Sequence, residues 1–144
     1  MFPENCYVLW DETNEAVVID PGCFYEEEKQ TLKNFIIKNG LNVKHLLNTH
    51  LHLDHIFGNP FMLKEFGLKA EANQADEFWI DEAPKQSRMF GFQLQEAPVP
   101  LGTYPARWRH HHLRQYGTGS HPCAGTLAGQ PWCTIARQTT ACSR

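Results

Sequence analysis

The chain has 144 residues, the length of one domain, with 42% apolar residues and a formal net charge of −3; its core is expected to be lean, and no basic footprint points to nucleic acid or an anionic membrane. It holds no apolar run of spanning length and no charged-then-apolar leader, so neither a transmembrane helix nor a secretory signal is expected and the protein reads as cytoplasmic. Its five cysteines, Cys6, Cys23, Cys123, Cys133 and Cys142, are odd in number and form no Cys-x-x-Cys pair, which argues against a zinc ribbon or disulfide framework and leaves free thiols.

Residues 6–10 and 16–20 are short β-rich runs joined by the polar stretch 11–15, which reads as a hairpin. Asp20 then ends a strand and opens the Pro21-Gly22 turn. Over 25–39, Tyr25, Leu32, Phe35 and Ile36 recur at helical intervals, and Glu26, Glu27 and Glu28 stand in the first turn, where the helix dipole favours anions. Gly40 supplies the stop. The compact apolar run 43–47 is a third strand, and it feeds directly into Thr49-His50-Leu51-His52-Leu53-Asp54-His55.

That cluster has metal-ligand spacing. In an extended segment His50 and His52 project to one side while Leu51 and Leu53 anchor the other, so two imidazoles converge on one ion. Asp54 and His55 break the alternation where a helix-compatible run begins, and a turn there swings them toward a second ion about 3.5–4 Å away. Imidazole with carboxylate suits zinc, and iron or manganese as well. The position, at the carboxyl end of a strand that follows a crossover helix, is where open α/β sheets place their ligands.

Beyond it, Gly58-Asn59-Pro60 opens a helix that Gly67 ends, residues 68–71 suit a short strand, and 75–80 a helix whose acidic Asp76, Glu77, Asp81 and Glu82 form a solvated face. Residues 84–94 read as an amphipathic segment over the substrate side, with Met89, Phe90 and Phe92 expected to pack in the core.

His-x-His-x-Asp-His after an apolar strand resembles the metallo-β-lactamase-fold hydrolases. Ala16-Val17-Val18-Ile19-Asp20-Pro21-Gly22 is similar to that family's second strand and Asp-Pro-Gly turn, and Asn5-Cys6-Tyr7-Val8-Leu9 to the opening strand of its short glyoxalase-II-like members. The resemblance covers roughly residues 3–100. It implies an α/β fold, with residues 1–100 forming the amino-terminal half of an αββα sandwich. It also implies a zinc-dependent hydrolase with His50, His52, Asp54 and His55 as metal ligands, Asp54 orienting the metal-bound hydroxide, and Asp20 supporting the metal loop from beneath without ligating. The implied substrate is a small-molecule thioester of the hydroxyacylglutathione type. Two other classes stay open: a non-catalytic metal-binding fragment, and a phosphodiesterase of the ribonuclease type, whose basic surface this chain lacks. No nucleic acid or membrane partner is expected, and the sequence leaves the oligomeric state open.

From Leu101 the chain changes character. All sixteen acidic residues lie at or before Glu96, and residues 101–144 contain no Asp, Glu or Lys but five arginines and three cysteines. Residues 101–144 are therefore read as a tail with little regular structure. A basic low-complexity segment is one explanation. The genetic code offers another: read one nucleotide later, synonymous codons for residues 108–131 encode Gly-Asp-Thr-Ile-Thr-Phe-Gly-Asn-Thr-Glu-Leu-Glu-Val-Ile-His-Val-Pro-Gly-His-Ser-Pro-Gly-Ser, which resembles the same family's continuation. The tail then reads as frameshifted translation of a longer hydrolase, with the family's third histidine encoded across Thr126 and Leu127. The amino end reads as clipped, because the family precedes this first strand with another. In this reading His110, His111, His112 and His121 are by-products of the shifted frame and are left out of the site, and the later bridging aspartate and final histidine are absent.

Overall fold

The computed structural model describes residues 4–103 and, beyond them, the backbone of residues 110–113 and 116–119. Three strands, β1 (Tyr7–Trp10), β2 (Glu15–Ile19) and β3 (Asn42–Leu47), form one sheet in that order. β1 runs antiparallel to β2 with Tyr7 opposite Ile19, and β2 runs parallel to β3 with Ile19 opposite Leu47. The hairpin at 11–14 is closed by Asp11, whose side chain accepts from the Thr13 N–H and hydroxyl, and by Asn14 at φ 62°. The parallel pairing needs a crossover, and α1 (Glu26–Lys38) supplies it. All three strands and the helix stand within a residue or two of their expected positions.

Period-2 alternation on β2 sorts the core. Ala16 and Val18 pack with Val8, Leu46 and the α1 residues Leu32 and Ile36, while Val17 and Ile19 face the other way with Tyr7, Leu9 and Leu47. Each such buried aliphatic side chain contributes about 1.5–3 kcal/mol. Glu28 fixes the start of α1 by accepting from the Phe24 and Tyr25 N–H groups at 2.8 and 2.9 Å, and Gly40 at φ 62° ends the helical turn. Lys29 is buried on α1 and reaches Glu96 at 3.5 Å.

After β3 come α2 (Leu53–Ile56), α3 (Asn59–Phe66) and, past a 3₁₀ turn at Gln74–Asp76, α4 (Phe78–Met89). Pro60 opens α3 and Gly67, at φ 69°, caps it as expected. The short strand read at 68–71 is a pair of bridges, Glu71 lying parallel to Leu47 and to Thr103. The helix expected over 75–80 starts later and runs further, with Pro84 inside it. One packing expectation is corrected. Met89 and Phe90 are 78% and 60% exposed, because α4 ends there and Gly91 (φ 79°) turns the chain back; only Phe92 turns inward, 5.5 Å from Phe24 and 5.8 Å from Phe57.

In the stretch read as irregular, β4 (His110–Leu113) and β5 (Tyr116–Gly119) form an antiparallel hairpin. His121 and the shifted-frame Pro-Gly-His-Ser-Pro-Gly position lie outside the described residues. Among the described residues no helix is long and apolar enough to cross a membrane.

The close approach that joins β2's exit to the metal loop is made at Gly58, whose N–H donates to the Pro21 carbonyl at 2.7 Å. A Cβ there would stand 2.4 Å from that oxygen. Gly58→Ala is therefore expected to destabilise the fold by about 1–3 kcal/mol, as read by urea unfolding; an unchanged midpoint would mean the two loops separate freely.

Candidate metal centre

β3 ends at Leu47, and the chain bends at Thr49 and His50 before an extended His52 leads into α2. Leu51 and Leu53, at 0% and 3% exposure, anchor this stretch in the core. The histidines between them are forced to the opposite side, as the alternation requires. The His50 ring lies 4.8 Å from that of His52 and 3.9 Å from that of His55, centroid to centroid. Asp54 follows at the first turn of α2, its Oδ2 3.9 Å from His55 Nε2. Three imidazoles and a carboxylate thus meet where β3 hands over to α2.

The hydrogen-bond chain beneath this cluster decides which ring nitrogens are available. Asp20, buried and at φ 48°, accepts the Thr49 N–H at 2.8 Å and the Thr49 hydroxyl at 2.6 Å. With its only proton committed to Asp20, the Thr49 oxygen, 3.0 Å from His50 Nδ1, accepts from it. His50 Nδ1 therefore carries hydrogen and Nε2 keeps the lone pair. His55 Nδ1 lies 3.3 Å from Asp20 Oδ2 and 3.4 Å from Glu4 Oε1, so it too carries the hydrogen and leaves Nε2 toward Asp54. Asn48 ties the loop shut, donating to the His55 carbonyl at 2.9 Å and accepting from Asn59 at 2.8 Å. These are the tautomers and the supporting shell that imidazole ligands require.

Electrostatics favour a cation here. Burial lowers the His50 pKa, and the neighbouring His55 and His52 lower it further; a neutral ring with a free lone pair results. Burial alone would lower His55, but the close carboxylate of Asp20, with the charges of Asp54 and Glu4, overcomes it and raises the value. Glu4 is pushed up to about 7, chiefly by burial and then by the charges of Asp20 and Asp54. The donor set of neutral imidazole nitrogens and carboxylates, with Glu4 Oε2 buried and unpartnered beside it, fits a divalent metal ion.

The rings of His50, His52 and His55 pack against one another, with Asp54 beside His55 and Asp20 beneath. The structure adds residues that sequence reading passed over. Thr49 and Asn48 link Asp20 to the ligands, and Trp79 on α4 sets its ring 5.0 Å from that of His52, edge to face. Glu4 joins Asp20 and His55 in the one group of three whose ligand atoms all lie within 4.8 Å of each other among the described residues. Nothing in the sequence around Glu4 signals this. The expected solvated face holds for Asp81, which is exposed, while Asp76, Glu77 and Glu82 are half-buried. Cys6 and Cys23 are free thiols that line, with Glu4 and Gly22, a cleft of about 660 Å³ between β1 and α1.

These shifts set the pH response of the metal-free protein. A carboxyl or imidazole whose folded pKa is raised contributes stability below its unfolded pKa and loses it as pH climbs through the folded value; for Glu4 that window runs from 4.5 to about 7, and His55 acts in the same direction. His50, lowered, acts oppositely, contributing stability that is lost as pH falls. With the Glu4 window lying across this range, chelator-treated protein is expected to be less stable at pH 8 than at pH 5.5, and Glu4→Gln should flatten the slope; stability that rises with pH would contradict the assignment.

The sheet and the histidine loop at a strand's carboxyl end accompany a match of the sequence model of the Metallo-beta-lactamase superfamily to residues 1–132. The chain belongs to that superfamily. Within it, the likeness is to glyoxalase-II-like members: the chain is 35% identical over 100 residues to the hydroxyacylglutathione hydrolase GloC of Haemophilus influenzae, covering 69% of this chain and 45% of that one. It is also 35% identical over 77 residues to the hydroxyacylglutathione hydrolase of Pelagibacter ubique, covering 53% of this chain and 30% of the relative. The chain thus spans less than half the length of these relatives. In fold it is similar to the B3 metallo-beta-lactamase BLEG-1 (TM-score 0.65, 24% identity, 78% of this chain and 53% of the other). It is likewise similar to TTHA1623 in a di-iron-bound form (TM-score 0.58, 25% identity, 73% and 50%).

Proposed function

We propose that this chain carries the first metal-binding segment of a zinc-dependent hydrolase that acts on a thioester of the hydroxyacylglutathione type. The observation that carries the reading is the packing of His50, His52 and His55 at 3.9 and 4.8 Å, with the Nε2 lone pairs of His50 and His55 freed by Thr49 and Asp20. The likeness to two hydroxyacylglutathione hydrolases supports the substrate class. His50 and His52 would hold one ion, Asp54 and His55 a second. Bound there, zinc supplies a water whose pKa falls to about 7 and a Lewis acid for the substrate carbonyl. Asp54 accepts a hydrogen bond from the attacking water and orients it, Asp20 fixes the imidazole that faces it, and Trp79 shields the open side of His52.

Within the described residues each ion receives two protein ligands where hydrolytic zinc takes three. We therefore expect weak zinc binding and thioester turnover at background for the chain as it stands, and a tail, residues 101–144, that belongs out of frame. A non-catalytic metal-binding role follows from the same ligand count. The test compares zinc stoichiometry and thioester hydrolysis, with β-lactam and phosphodiester panels alongside, between this chain and a version with the shifted frame restored over residues 108–131. Binding and thioester turnover recovered only in the restored form support the reading; full activity in this chain would mean that His110, His111 or His112 supplies ligands, and coding DNA incompatible with the shifted codons would remove the frameshift.

A further inference from the structure

Glu4 stands outside the four expected ligands, yet its environment is specific. Its side chain is 7% exposed. Oε1 lies 3.4 Å from His55 Nδ1, and Oε2 is buried with no hydrogen-bond partner. Gly22 is what admits it: a Cβ on Gly22 would stand 2.1 Å from Glu4 Oε2, and the Gly22 N–H is already committed to the Asp20 carbonyl at 2.8 Å. The carboxylate is thus wedged between the Asp20-Pro21-Gly22 turn and the His55 ring, with one oxygen on the ring and the other on nothing. Asp20 Oδ2 divides its acceptance, taking the Thr49 hydroxyl at 2.6 Å and standing 3.3 Å from His55 Nδ1. Neither carboxylate makes an aligned bond to Nδ1 in this conformation, and the two stand at nearly equal distances from it, 3.3 and 3.4 Å.

We propose that Glu4 is a positioning residue of the metal centre, a second acceptor that shares the His55 Nδ1–H with Asp20 and holds the ring so that Nε2 points at the ion beside Asp54. The proposal rests on the reading of His55 as a metal ligand. A residue in this place acts through the ligand: it restrains ring rotation about the Cβ–Cγ bond and increases the basicity of Nε2. A buried carboxyl group with an unpartnered oxygen costs free energy on its own account. The two effects of removing it therefore have opposite signs. A residue kept for packing would lower both stability and metal affinity when truncated, whereas Glu4 should lower metal affinity alone.

The experiment uses the full chain and zinc alone. Zinc affinity is measured by competition with a chelating dye for the native protein, Glu4→Ala, Glu4→Gln and His52→Ala, and thermal unfolding is measured with metal removed. Glu4→Ala is expected to bind zinc about 10–100-fold more weakly while its metal-free midpoint stays level or rises. Glu4→Gln, which keeps an acceptor oxygen without the charge, should fall between. Nitrogen-15 spectra of the zinc-loaded protein should show His55 with Nδ1 protonated and Nε2 on the metal. Glu4→Ala binding zinc as tightly as the native chain, while His52→Ala loses it, would overturn the proposal and leave the metal centre standing. Parallel losses of affinity and metal-free stability would reduce Glu4 to packing, and a spectrum with Nδ1 on zinc would make Glu4 and Asp20 ligands instead. Zinc binding untouched by His52→Ala would bring down the metal-centre reading itself.

Discussion

His52→Ala is expected to abolish zinc binding at micromolar protein while leaving the fold intact. The affinity side follows from ligand count. His50 and His52 converge from one stretch, and with two ligands on that ion the loss of either leaves one. Removing a partner that merely orients a metal-bound histidine costs about 10–100-fold, so removing a ligand from a two-ligand set exceeds that range. The stability side follows from exposure. His52 is half-buried and touches His50 and Trp79 by ring edges, and the segment is anchored by Leu51 and Leu53, which the substitution does not touch. His50→Ala should lose zinc equally but is the less clean test, because His50 is buried and its Nδ1 partners Thr49. Equilibrium dialysis against zinc, with metal-free urea unfolding as control, checks both; a His52→Ala protein that keeps its metal would move the first site elsewhere.

How the metal loop came to be readable from sequence, and its support did not, is a matter of range. The alternation of His50, Leu51, His52 and Leu53 is local: period 2 sets leucines on one side and imidazoles on the other whatever the rest of the chain does. β1, β2 and α1 are legible for the same reason, each carrying its own periodicity and its own stop signal. Glu4 has no such pattern. It precedes β1, and its burial is created by a backbone 16 to 18 positions later, where a left-handed Asp20 and a side-chain-free Gly22 open the space it fills. Trp79 reaches His52 only because α4 packs across α2, a tertiary event with no trace in residues 75–80. Met89 and Phe90 mislead in the opposite direction. Apolar composition suggested core, but the helix ends beneath them and leaves them on the outside. The β4–β5 hairpin was hidden by glycines at Gly117 and Gly119, which erase alternation on one strand while permitting its backbone pairing.

Asp20→Ala carries the largest expected cost to the fold, and its route is a proton. The carboxylate is 3% exposed, takes both the N–H and the hydroxyl of Thr49, and lies within 3.3 Å of His55 Nδ1; stripping it away leaves these buried donors without their acceptor, a loss of about 3–5 kcal/mol. Alanine must also adopt φ 48°, which adds about 1 kcal/mol. The metal site changes by a separate step. The Thr49 hydroxyl hydrogen, released from Asp20, turns to the other neighbour within 3.0 Å and donates to His50 Nδ1. That ring must then carry its own hydrogen on Nε2, the nitrogen the metal needs. Asp20→Asn separates the two effects. Asparagine tolerates the left-handed backbone and its Oδ1 still accepts the Thr49 N–H, but its amide group offers hydrogens where Thr49 and His55 require an acceptor. Asp20→Asn is therefore expected to unfold cooperatively within about 2 kcal/mol of the native chain and yet to bind zinc at least tenfold more weakly, with His50 protonated on Nε2 in nitrogen-15 spectra. Native-like zinc affinity in Asp20→Asn would show that the ring nitrogens are chosen by the metal itself and not by the carboxylate beneath them.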